Sequence, residues 1–147
     1  MVRYLVLIAV LLGAPAAEAT AREEISGPVA AKILRVIDGD TILVEARPWP
    51  QQRVEVYVRI RGIDAPELKS KCGSVRQAGG NARQALEALT QASATIQLVN
   101  ITGDKYFGRI VADVVLPDGR SAGSDLLLAG LVQPYDGGRK MAQVCGD

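Results

Sequence analysis

Two acidic turns hold the residues of this chain best suited to chemistry. One lies in Arg35-Val-Ile-Asp-Gly-Asp-Thr-Ile-Leu-Val44, the other in Val58-Arg-Ile-Arg-Gly-Ile-Asp-Ala-Pro-Glu67. Each runs along a β-branched stretch and ends in carboxylates at a turn. The second sets Arg59, Asp64 and Glu67 within nine residues, with Pro66 stiffening the corner. Carboxylates are oxygen ligands for a hard divalent cation, and one can also take a proton from water. A guanidinium holds a phosphate through paired hydrogen bonds. Metal-assisted hydrolysis of a phosphodiester is the chemistry these residue types suit together.

The elements that must position them are short strands. Ala30 to Ile37 and Thr41 to Glu45 read as a hairpin broken at Asp38-Gly39-Asp40, since Asp-Gly between apolar runs is a turn signal. Arg47-Pro-Trp-Pro50 is a loop, because proline has no ladder donor. Val54, Val56, Val58 and Ile60 then alternate with Arg53, Glu55, Tyr57, Arg59 and Arg61, the pattern of a half-buried antiparallel strand. Asn81 to Ala92 has helical spacing, with Asn81 as cap and Gly79-Gly80 expected to stop the helix extending backwards. Thr95 to Ile101 and Arg109 to Leu116 alternate again, Pro117-Asp-Gly119 is a turn, and Ser124 to Ala129 is a short helix ending at Gly130. Five strands with a helix between the third and fourth predict a mainly β (α+β) fold. The architecture is an OB-fold-like barrel with a short C-terminal helix.

Composition narrows the chemistry. The 147 residues suffice for one domain and include no histidine, which excludes histidine acid–base catalysis, Ser-His-Asp triads and the usual zinc hydrolases. Net charge is +1, so a broad basic field for nucleic acid is missing. Basic residues gather only locally, at Arg59, Arg61, Lys69, Lys71 and Arg76 and again at Lys105 and Arg109. Residues 1–19 read as a secretory signal peptide cleaved near Ala19 or Ala21: one arginine, a short apolar run and small residues at the end. The expectation is export to a periplasm or the medium, as a monomer with no membrane anchor in the mature form. In such a compartment the two cysteines, Cys72 and Cys145, are expected to form a disulfide. On the chain-entropy estimate that bridge contributes roughly 4 kcal/mol; two unpaired thiols are the alternative.

Four blocks resemble, in order and spacing, those of the thermonuclease (staphylococcal nuclease-like, SNase) family. They are Val36-Ile-Asp-Gly-Asp-Thr41, Arg59-Ile-Arg-Gly-Ile-Asp-Ala-Pro-Glu67, Asp104-Lys-Tyr-Phe-Gly-Arg109 and Gly130-Leu-Val132. The resemblance implies a barrel domain over 30–138, followed by a tail at 139–147. It implies that Asp40, Asp64 and the backbone carbonyl of Ala65 bind Ca2+, that Glu67 is the general base, and that Arg59 and Arg109 clamp the phosphate. The implied reaction is hydrolysis of DNA or RNA leaving 3′-phosphate ends. Tyr106 and Tyr135 resemble tyrosines of the family's nucleotide pocket, and Lys105 beside them is a further candidate for binding substrate.

Each residue also has a plain structural reading. Asp38-Gly39-Asp40 suits a turn, Arg59 an exposed strand face, Glu67 a turn cap, and the tyrosines ordinary packing. Three departures from the family pattern bear on function. Ala65 replaces a threonine, Phe107 is an extra residue that threatens the placement of Arg109, and nothing after Gly138 resembles the family's long final helix. The rival class is a non-catalytic OB-fold module that binds single-stranded nucleic acid or a protein partner.

Overall fold

The computed structural model describes residues 23–91, 93 and 95–146. The expected signal peptide, 1–19, lies outside the described residues. The elements in chain order are β1 (Glu24–Ile25), β2 (Val29–Asp38), β3 (Thr41–Arg47), β4 (Val54–Ile60), β5 (Ile63–Asp64), α1 (Gly73–Gln91), β6 (Thr95–Gly103), β7 (Arg109–Val115), α2 (Ala122–Leu128) and β8 (Gln133–Pro134).

Strands β2, β3, β4, β7 and β6 pair in that order, and β6 returns to β2, closing a five-stranded barrel. Only β4 and β7 run parallel, so the barrel is mixed. Closure removes the sheet edges that would otherwise invite pairing with another chain. The expected alternation fills the interior: Ile42 and Val44 on β3, Val58 and Ile60 on β4, Ile96 and Leu98 on β6, and Ala112 and Val114 on β7 are all buried. Leu86 of α1 and Leu126 of α2 join the same core. Helix α2 is capped by Ser121, whose side chain accepts from the Ser124 amide. It ends in a Schellman motif, with Gly130 N–H to the Leu127 carbonyl, Leu131 N–H to the Leu126 carbonyl, and Gly130 at φ +69°. The Schellman end agrees with the expected stop at Gly130, while the helix begins at Ala122, two residues before the expected Ser124.

Helix α1 departs from expectation. It begins at Gly73 and runs straight through Gly79 and Gly80 to Gln91, so Asn81 lies inside the helix rather than capping it. The reason is tertiary. A Cβ at Gly79 would lie 2.6 Å from the Pro66 carbonyl oxygen, so glycine lets the helix press against the loop that carries Glu67. Val75, Gly79, Ala82, Leu86 and Thr90 form its buried stripe. That burial offsets a glycine cost of about 1 kcal/mol per residue. Gly39 plays the matching part in the β2–β3 turn, where a Cβ would lie 2.6 Å from the Ala82 side chain and 2.9 Å from that of Ala65. The acidic turn, the second acidic loop and α1 are thus packed together at one end of the barrel.

Candidate active site

The β2–β3 turn delivers Asp40 to a buried position, 3% exposed. Its Oδ1 accepts from the Thr41 hydroxyl at 2.8 Å and from Arg59 Nη1 at 3.0 Å, and its Oδ2 accepts from the Ala65 amide at 2.7 Å. Burial and the neighbouring Asp38 charge push its pKa up from 3.8 to about 6, against the opposing pull of the Ala65 amide, Arg59 and Thr41. Asp64 reaches the same place from β5, also buried, and its Oδ1 accepts from Arg59 Nη2 at 2.8 Å. The two acidic turns, 24 residues apart at Asp40 and Asp64, therefore meet through one guanidinium.

Arg59 was expected on the polar face of β4, and it leaves that strand away from the core. It is nevertheless enclosed, with its side chain 12% exposed. The cause is β5, whose pairing with β8 lays Tyr135 over the guanidinium at 5.2 Å. Burial opposes the charge on Arg59, but Asp40 and Asp64 outweigh it and hold its pKa above the ordinary value. The reading of Arg59 as an exposed strand arginine is thereby corrected.

A cleft of about 930 Å³ opens beside this network, lined by Arg59, Glu67, Lys105, Tyr106, Arg109 and Tyr135 among others. Six of the residues expected at the site thus share one opening. Asp40, Asp64 and Ala65 do not line it; they connect to it through Arg59. Arg109, also lining the cleft, is the first residue of β7, the strand paired to β4, in register opposite Tyr57. Its Nε donates to Asp104 Oδ2, and its guanidinium lies 4.7 Å from the Tyr106 ring. Lys105 stacks on the same ring at 5.1 Å. The extra Phe107 is fully solvent-exposed, and Arg109 two residues on enters the β7 ladder opposite Tyr57. Tyr106 and Tyr135 therefore sit against cations at the cleft rather than in the core.

Glu67 is exposed and faces the cleft, but it is not alone. Lys140 Nζ lies 3.1 Å from Glu67 Oε1 and 2.9 Å from Asp64 Oδ1. Gln143 donates from Nε2 to the Ala65 carbonyl at 3.4 Å and accepts from the Glu67 amide at 3.2 Å. Burial works against the Lys140 charge, yet the two carboxylates outweigh it and raise its pKa. Sequence reasoning placed both residues in a featureless tail. The signal that finds them is the bridge itself: Cys72 and Cys145 are joined, so residues just before Cys145 must lie near the loop after Glu67.

Residues 57–143 match the family described as staphylococcal nuclease homologue. The chain belongs to that family. The match takes in Arg59, Asp64, Glu67, Arg109 and the tail as far as Gln143, and it begins after the hairpin that carries Asp40. No curated protein matches the chain.

Proposed function

We propose that this family member is an exported, calcium-dependent nuclease that hydrolyses DNA or RNA phosphodiesters and leaves 3′-phosphate ends. The observation that supports this most is that Arg59, which lines the cleft together with Arg109 and the accessible Glu67, joins to it the two buried carboxylates Asp40 and Asp64. Among the described residues no three acidic side chains converge closely enough to hold a metal by themselves. Two carboxylates plus the Ala65 carbonyl still suit calcium, which accepts mixed oxygen ligands and completes its shell with water. The chemistry of the site agrees: Asp40 and Asp64 are crowded carboxylates whose charge is balanced by Arg59 and Lys140, so the place is built to receive positive charge. Asp40, Asp64 and Ala65 would hold the ion, which when bound would neutralise charge on the phosphate.

The chain's own residues supply the rest. Glu67, open to the cleft, takes the proton of the attacking water. Arg59 keeps its Nε and a second Nη1 hydrogen clear of the protein bonds described above, and Arg109 offers its Nη hydrogens from the neighbouring strand. Held in place before reaction, these donors stabilise the negative charge that gathers on the phosphoryl oxygens in the transition state. Tyr106 and Tyr135 present ring faces to a base or sugar.

The test is cleavage of single- and double-stranded DNA and RNA by the purified chain, in calcium and then in excess chelator. Calcium-dependent cutting with 3′-phosphate ends, lost in Glu67→Gln, is the expected result. One observation favours the non-catalytic rival: Arg59 and Arg109 are both already paired with carboxylates. Tight single-strand binding in chelator, with no cutting in calcium, would establish that reading instead.

A further inference from the structure

The C-terminal segment occupies groups that the proposed reaction needs free. Lys140 takes Asp64 Oδ1 and Glu67 Oε1, and Gln143 takes the Ala65 carbonyl and the Glu67 amide. An ammonium hydrogen-bonded to a carboxylate oxygen competes with a metal ion for that oxygen. On Asp64 Oδ1 it adds to the Arg59 Nη2 already bonded there, which leaves no lone pair for the ion. It also places a second positive charge where the ion's charge would fall. Two cations a few ångströms apart repel strongly in a partly buried site.

Little else holds the segment down. Every residue from 136 to 146 is exposed, so no apolar burial fixes it over the cleft. It is pinned at two ends. Upstream, β8 is paired to β5. Downstream, Cys145 is bonded to Cys72, just before α1, and the Gly146 amide donates to Ser74 Oγ at 3.0 Å. Lys140 lies between the two anchors, five residues from Cys145. Tethering at both ends gives its ammonium a high effective concentration at the carboxylates, which free lysine in solution would never reach.

We propose that the segment is a tethered counter-ion: Lys140, held against Asp64 and Glu67, competes with the divalent cation for Asp64, and the Cys72–Cys145 bridge sets the strength of that competition. This rests on the calcium reading above and deepens it, because it makes the tail a determinant of metal affinity. Ion binding and strap closure exclude each other. Whatever opens the strap tightens the site for the ion, and whatever fills the site releases the strap. The bridge makes the closed form the favoured one, and opening it leaves Lys140 on a chain anchored at one end only.

The deciding experiment is a calorimetric titration of the folded chain with CaCl2 at fixed ionic strength. It compares the unaltered protein with Lys140→Gln, Lys140→Glu and the double variant Cys72→Ala/Cys145→Ala. Lys140 is a partly exposed tail residue, so the first two variants test the idea even if loss of the bridge impairs folding. The expected result for Lys140→Gln is affinity about tenfold tighter, as for a strap closed roughly nine-tenths of the time. Lys140→Glu should tighten it further, and loss of the bridge should tighten it by a smaller factor. Equal affinity in all four proteins would overturn the proposal and leave the calcium reading standing. Tightening in Lys140→Gln without any in a folded bridge-free variant would overturn the role of the bridge. Calcium binding by none of them would overturn the calcium reading and the proposal with it.

Discussion

The two arginines that line the cleft, on neighbouring strands β4 and β7, are held in different ways. Arg59 projects from a strand paired on both sides and is enclosed by two buried carboxylates, a backbone carbonyl and the Tyr135 ring. Arg109 begins a strand at the end of an exposed loop, has one carboxylate partner from that loop, and shares the Tyr106 ring with Lys105. The first is part of the protein's internal charge balance; the second is mainly an instrument of the cleft. One residue type is locked between two buried carboxylates in one place and paired with a single loop carboxylate in the other.

Removing each guanidinium separates these roles. Arg109→Ala is expected to lower kcat about 100- to 1,000-fold, the usual loss for one preorganised donor to a developing anion. Its stability cost should be the smaller of the two, because it leaves one carboxylate, Asp104, without its partner rather than two. Arg59→Ala should lower kcat at least as much, and in chelator should also cost about 3 kcal/mol of unfolding free energy, because it strands buried charge. Urea unfolding alongside a cleavage assay distinguishes them. Equal stability losses in the two variants would erase the contrast.

A gentler substitution sharpens the same point from the carboxylate side. The Asp40 pKa is raised from 3.8 to about 6 in the folded protein. Between those values the native state holds the proton more firmly than the unfolded chain, so stability falls as pH rises from about 4 to about 6. Above pH 6 the penalty is fully present; below pH 4 it is gone. Asp40→Asn carries no such charge. In chelator at pH 7.5 it is therefore expected to be more stable than the unaltered protein, by on the order of 2 kcal/mol. The two should converge near pH 4. If Asp40→Asn proves less stable at pH 7.5, the pairing with Arg59 outweighs the burial and crowding of Asp40.

These differences explain what was legible in the sequence. The strands were readable because a half-buried strand shows its two faces in alternate residues, as Val58 and Ile60 do against Tyr57 and Arg59. The acidic turns were readable because Asp-Gly and Asp-Ala-Pro carry their own turn chemistry. The first half of α1 was not, since Gly79-Gly80 reads locally as a breaker. Its reason for being helical is the Pro66 carbonyl, thirteen residues earlier in the chain. The burial of Arg59 was hidden for a similar reason: it depends on β8, some seventy residues later. Lys140 and Gln143 lie in a stretch with no periodicity, and only the covalent link from Cys145 to Cys72 gives them an address.

The smallest expected effect concerns the loop beneath Arg109. Phe107 is the extra residue there, and it touches water on every side, with 109% relative exposure. The chain around it is fixed without its help: the Asp104 amide bonds to the Arg109 carbonyl, the Arg109 amide to the Tyr106 carbonyl, and Gly108 adopts φ +82° to close the turn. Phe107→Ala should therefore change unfolding free energy by less than about 0.5 kcal/mol, the range of surface substitutions away from special features. Arg109 should stay in place and kcat should be unchanged. A phenyl ring so exposed, next in sequence to Tyr106 of the cleft lining, could serve a nuclease as a platform for a base. A rise in KM for single strands, with kcat and stability constant, would show that use. A fall in kcat would instead mean that the ring steadies Arg109, making that corner less independent of its loop than its partners indicate.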